Sequence, residues 1–200
     1  MPRAFAVLLL FVMCPPLLAS DEPVKADPVA EWLNDHSHEV MQGTLALMAL
    51  VGNHKAVDDA LVTVDAMVAS LAATEGLKLV IDQPRPRDPS ATDGFPSSHA
   101  STAFAFASGI DDWRPDWGPY AWAFAAGVGW ARVEEGYHTT EQVLAGAALG
   151  LWIAGASLES DGFIIHRGEN AAPRLTSDDH IEPAREFEGR PSVVLWRQSW

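Results

Sequence analysis

The sequence has one cysteine in 200 residues and only 13 lysines and arginines against 27 aspartates and glutamates. The single cysteine, Cys14, lies in an apolar N-terminal stretch, so beyond it there is no disulfide and no thiol nucleophile. A formal charge of −14 excludes nucleic acid as a natural partner and disfavours an anionic membrane surface as an electrostatic one. Alternating apolar and polar positions, the mark of half-buried strands, are almost absent. No Gly-x-Ser-x-Gly occurs, so nothing supports a serine hydrolase. The main uncharged runs also stop short. Val40–His54 and Trp117–Ala131 hold 15 residues each and Gln142–Leu158 holds 17, below the roughly 18 to 20 of a spanning helix.

What is present is helical periodicity between sharp breakers. Residues 1–20 read as a secretory leader: Arg3 gives the positive start, Ala4–Met13 the apolar run, and Ala19 and Ser20 a cleavage site. The chain is accordingly expected to be secreted, in a bacterial periplasm, with membrane association as the alternative. Residues 21–160 read as one helical domain, and 161–200, charged and broken by prolines, as a tail that wraps the bundle or stays partly disordered. Helices are expected over 28–34, 37–51, 56–81, 97–110, 118–132 and 140–158, with loops at 82–94 and 111–119. The expected fold is therefore all-α, a single bundle with a core of about five to six helices. Gly146 and Gly150 form a small-xxx-small pair that suits close helix packing.

Because cations are scarce, their placement is informative. Between Ala56 and His166 the only ones are Lys78, Arg85, Arg87, Arg114 and Arg132. Lys78 is followed after six residues by Arg85-Pro86, then comes "PSSH" at 96–99, and Arg132 precedes His138 by five intervening residues. Three elements in this order, with internal spacing kept, resemble the type 2 phosphatidic acid phosphatase superfamily. Its signature is Lys-six-Arg-Pro, Pro-Ser-Gly-His and Ser-Arg-five-His-three-Asp.

The resemblance implies a metal-independent phosphatase without a cofactor, acting on a phosphomonoester or on a lipid phosphate or diphosphate. His138 would be the nucleophile that forms a phosphohistidine, and His99 the acid for the leaving oxygen and later the base for water. Lys78, Arg85 and Arg132 would neutralise phosphate oxygens, with Ser97, Ser98 and the first N–H groups of the following helix adding donors. The chemistry of these residues agrees. Guanidinium forks bind two oxygens at once, a helix start favours an anion, and an imidazole exchanges protons near neutral pH.

Three positions depart from the signature. Ser98 replaces glycine, Ala131 replaces the serine before Arg132, and Gln142 stands where an aspartate would orient the nucleophilic histidine. Gln142 also fits a Thr-x-x-Gln capping box with Thr139, and both roles are compatible. Vanadium-dependent haloperoxidases share the motif set and provide the rival, an oxidoreductase reading. His36 and His38 form a His-x-His pair with no neighbouring carboxylate or cysteine motif, so a solvated helix start is expected there rather than a metal site.

Overall fold

The computed structural model describes residues 27–162 and 164. The leader at 1–20 and all but the first residues of the tail at 161–200 lie outside the described residues. Asp27 opens the described chain as an N-cap, its carboxylate accepting from the N–H groups of Val29 and Ala30, with Pro28 in the first turn. Helix α1 then runs unbroken over Pro28–Val51. The expected break near residues 35–36 does not occur. Asp35, His36, Ser37 and His38 are only modest helix formers, each costing well under about 1 kcal/mol, and no glycine or proline interrupts them.

Asn53 caps α2 (His54–Lys78), which ends at Lys78 rather than continuing to Ile81. The loop expected at 82–94 is observed, pinned by an isolated bridge between Gln83 and Asp93. Helix α3 spans Ser98–Trp113 and so takes in Asp111–Trp113, the first part of the loop expected at 111–119. The helix stops where Arg114 turns extended before Pro115, the conformation a proline imposes on its predecessor. Helix α4 (Gly118–Glu134) and helix α5 (Thr140–Glu159) complete the bundle. Among the described residues the fold is all-α, with five helices and no strands.

Helix α3 is the axis of the bundle. Its residues Ala100–Ala107 are all buried, and it packs on α2, α4 and α5. Helix α1 closes the far side against α2 and α4. Phe104, Phe106, Ile110, Met41, Met48 and Trp122 fill the core between them, each worth about 1.5–3 kcal/mol of burial. Small residues set the spacing. A Cβ at Gly146 would strike the Ser97 carbonyl oxygen, and one at Gly150 the Ser101 carbonyl oxygen. The glycine pair therefore brings α5 directly onto the first turns of α3.

Below this, the buried Asp65 of α2 accepts from the Ser157 hydroxyl at 3.0 Å and from the Ile164 N–H at 2.7 Å, which ties the end of α5 and the chain leaving it to α2. Helices α2 and α5 are also long and apolar enough to cross a membrane by length and composition, although the uncharged runs alone had not reached that length.

Candidate functional site

The site is assembled where α3 begins. The Ser97 side chain, fully buried, accepts from the Ala100 N–H at 3.5 Å, and its own N–H donates to the Gln142 carbonyl at 3.0 Å. This leaves the N–H groups of Ser98 and His99 as first-turn donors at the positive end of the helix dipole. Lys78, the last residue of α2, donates to Ser98 Oγ at 3.2 Å and to Glu75 at 2.7 Å. The serine that replaces glycine thus turns its hydroxyl toward a cation. Arg85 is clamped by two bonds, 2.7 and 2.6 Å, to Asp93, and this pairing holds the Asp93 carboxyl below its usual range.

His138 follows α4 by a tight turn. Gly136 sits at φ +67°, a left-handed conformation that favours glycine, and the His138 N–H then returns to the Arg132 carbonyl at 3.0 Å. The imidazole is almost fully buried, and its Nδ1 meets two oxygens, the Gly94 carbonyl at 2.9 Å and Gln142 Oε1 at 3.2 Å. Since both are acceptors, Nδ1 carries the proton and Nε2 keeps its lone pair. Gln142 is itself held at both ends. Its Oε1 also accepts from the Thr139 N–H, and its Nε2 donates to the Pro84 carbonyl at 3.1 Å and to Gln83 Oε1 at 3.3 Å. The capping box and the histidine contact therefore coexist on one amide. Gly94 must be glycine for this, because a Cβ would meet Gln142 Nε2 and the Pro84 carbonyl at 2.7 Å each.

Arg132 is 6% exposed. One guanidinium nitrogen donates to Asn34 Oδ1 at 3.1 Å, and the group lies 4.1 Å over the Tyr137 ring. Its Nε is buried with no partner among the described residues. Burial, and secondarily Arg85, lower its pKa to about 10, so it stays cationic at neutral pH. His99 meets the His38 ring edge to face, with centroids 4.6 Å apart. Burial first, then the charges of Arg132, His38, His138 and Lys78, push the His99 pKa down to about 3. Burial and Arg132 lower that of His138 to about 4, against the raising effect of the Gly94 and Gln142 bonds.

All eight residues singled out in the sequence (Lys78, Arg85, Ser97, Ser98, His99, Arg132, His138 and Gln142) come together around the start of α3. His36 does not join them. It stacks on Trp32 and bonds the Trp32 carbonyl, while His38 turns to His99, so the pair is split between two surroundings inside α1 rather than sitting at a helix start. Sequence reasoning missed Asn34, Gly94 and Tyr137, and it placed His38 at a solvated helix start rather than at the site. Asn34 and His38 are detectable as polar residues on the stripe Ala30, Met41, Leu45, Met48 once α1 is read as continuous.

This arrangement combines three cations, the first-turn N–H groups of α3 and a histidine of fixed tautomer, which suits attack on a tetrahedral oxyanion. Comparison with known proteins agrees. The chain is 37% identical over 109 residues to "Lipid phosphate phosphatase gamma" of Arabidopsis thaliana, covering 46% of this chain and 48% of that one. It thus spans about half the length of this relative. No solved structure gives a significant match. The family model described as the PAP2 superfamily matches residues 59–162, slightly more than half of the 200, and takes in every one of the eight site residues; the chain belongs to the PAP2 superfamily.

Proposed function

We propose that the protein is a metal-independent phosphatase that hydrolyses a lipid phosphate through a phosphohistidine on His138. The observation that carries this is the double oxygen clamp on His138 Nδ1, which leaves Nε2 as the nucleophile. Nε2 attacks phosphorus in line, the P–O bond to the alcohol breaks, and protonated His99 gives its proton to the departing oxygen. His99 then takes a proton from water, whose oxygen attacks phosphorus. The P–N bond breaks and inorganic phosphate leaves. Charge on the transferring group is met by Lys78, Arg85, Arg132 and the α3 N–H groups. The unpartnered Arg132 Nε supports this, because an anion is what would satisfy it. Burial is the main cause of the low His99 pKa, and a bound phosphate offsets the smaller part that comes from the neighbouring cations, which raises the protonated share of His99 above that of the empty site.

Two observations favour a lipid over a small soluble ester. A groove of about 430 Å³ runs between α1 and α2, lined by Leu45, Val64, Met67 and Leu71, and it starts at His38 and Thr102 beside the proposed acid. An apolar leaving alcohol would lie there, on the side where His99 protonates it. Leu79 and Val80, 89% and 80% exposed, follow Lys78 at the same end and suit contact with a membrane surface. The relative named above as a lipid phosphate phosphatase supports the same choice, and the leader pattern of residues 1–20 supports a location outside the cytoplasm.

The test is phosphate release from a long-chain alkyl phosphate in detergent micelles with chelator present, beside a short-chain alkyl phosphate. The expected outcome is turnover in chelator, preference for the long chain, inhibition by orthovanadate and an acid-labile phosphoenzyme lost in His138→Ala. Activity abolished by chelator and restored by zinc would overturn the reading.

A further inference from the structure

Helix α1 lies before the family match, which begins at residue 59, yet two of its side chains touch residues of the site. Asn34 and His38 are four residues apart, so they share one face of the helix, one turn above the other. That face otherwise carries Ala30, Ser37, Met41 and Leu45, all buried. A polar pair on such a stripe calls for partners, and its partners are the proposed phosphate-binding arginine and the proposed acid.

Asn34 has its amide orientation fixed from both ends. Its Nδ2 donates to the Ala131 carbonyl at 3.2 Å, which leaves Oδ1 to accept from Arg132 at 3.1 Å. With Tyr137 beneath the guanidinium plane, these contacts hold the fork at its end and on its face, and the Nε edge stays unpaired. The choice of a neutral partner has a consequence. Lys78 and Arg85 are each paired with a carboxylate, Glu75 and Asp93, whereas Arg132 is held by an amide and keeps its full charge for an anion. His38 acts on the neighbouring group. The terminal torsion of a histidine is broad, and an edge-to-face neighbour with its centroid 4.6 Å away narrows the settings open to the His99 ring.

We infer that Asn34 and His38 are positioning residues, Asn34 fixing the Arg132 guanidinium toward the phosphate and His38 fixing the His99 ring toward the leaving oxygen. The inference rests on the phosphatase reading, and its two halves separate binding from chemistry.

Inorganic phosphate binding, measured by calorimetry on the full chain, tests the first half without turnover. Asn34→Ala is expected to weaken it roughly tenfold, the loss of one charge-assisted hydrogen bond. Asn34→Asp keeps the acceptor but pairs Arg132 with a carboxylate, so it is expected to weaken binding as well. Two variants guard against misfolding, and melting curves identify the folded ones. If folded Asn34 variants bind phosphate as wild type does, Asn34 only ties α1 to α4 and the first half is wrong. If wild type itself binds no phosphate, the phosphatase reading fails instead.

For the second half, His38→Ala is expected to lower kcat on an alkyl phosphate about tenfold, with the loss shrinking to about twofold on p-nitrophenyl phosphate, whose leaving group needs little protonation. His38→Phe keeps a ring against His99 and is expected to recover most of the alkyl phosphate rate. Equal losses on both substrates, or no recovery by phenylalanine, would overturn the assignment.

Discussion

Mild acid is expected to destabilise this protein through two particular side chains. In the unfolded chain His99 and His138 bind protons below about pH 6.5. In the folded chain burial and nearby cations lower these values to about 3 and about 4. Between those limits the unfolded state holds more protons than the folded one, so folding stability is fully present above about pH 6.5 and is lost as pH falls toward the folded values. At pH 4.5, about two units below the unfolded pKa, each histidine has removed about 2–3 kcal/mol. The pair thus removes a sizeable part of the 5–15 kcal/mol typical of a domain. The assay is urea unfolding between about pH 7 and 4.5, for wild type and for a His99→Asn, His138→Asn double variant. Asparagine at 138 keeps a donor for the Gly94 carbonyl, and carboxylates titrate alike in both proteins, so the difference in slope belongs to the histidines. A double variant that loses as much stability as wild type over this range would refute the reasoning. The same values bear on catalysis. In the free enzyme His138 stays neutral down to about pH 4, so the acid limb of the kcat/KM profile is expected near there rather than near 6.5.

Gln142→Ala removes one of two acceptors on His138 and opens the capping box, so kcat should fall with little change in phosphate affinity, and stability by about 0.5–2 kcal/mol. Glu141→Gln should leave the pH–rate profile in place, since Glu141 is exposed and its carboxyl is lowered by backbone and Thr139 bonds at the helix start rather than by His138. Gly146→Ala pushes a methyl into the Ser97 carbonyl, and a melting curve should show a loss of about 1–3 kcal/mol, together with reduced turnover as α5 is lifted off α3.

The motif residues were legible because each is fixed by a helix boundary that the sequence also marks. Lys78 ends α2, Ser97 caps α3, Arg132 lies in the last turn of α4, and Thr139 caps α5. Six intervening residues after Lys78 and five after Arg132 are loop lengths, so spacing survives folding. Helix α1 was harder to read. The run "NDHSH" at 34–38 looks like a break because its residues are polar, but polarity does not end a helix when Asn34 and His38 find partners across the bundle. Splitting α1 there hid the stripe that makes those two residues visible. Gly94 and Tyr137 act through a close approach and a ring face, and neither leaves a periodic trace in the sequence.

Gln142 is the departure from the signature with the largest electrostatic effect, and the surrounding charges give it a rationale on the proposed reading. Lys78, Arg85 and Arg132 supply three positive charges, and Glu75 and Asp93, each paired with one of them, supply two negative ones. Both carboxylates are about half exposed, so solvent weakens their influence, yet the margin in favour of an anion is small in a chain of formal charge −14. An aspartate at 142 would put a third negative charge beside His138. The amide avoids this and still sets the tautomer, because its Oε1 and the Gly94 carbonyl accept together from Nδ1. Its Nε2, donating to the 83–84 segment, locks the amide in the one orientation that presents oxygen to the histidine. Two dipoles thereby orient the nucleophile as a carboxylate would, without raising the imidazole pKa as strongly. That keeps His138 unprotonated in acid and preserves the positive field that draws the phosphate in.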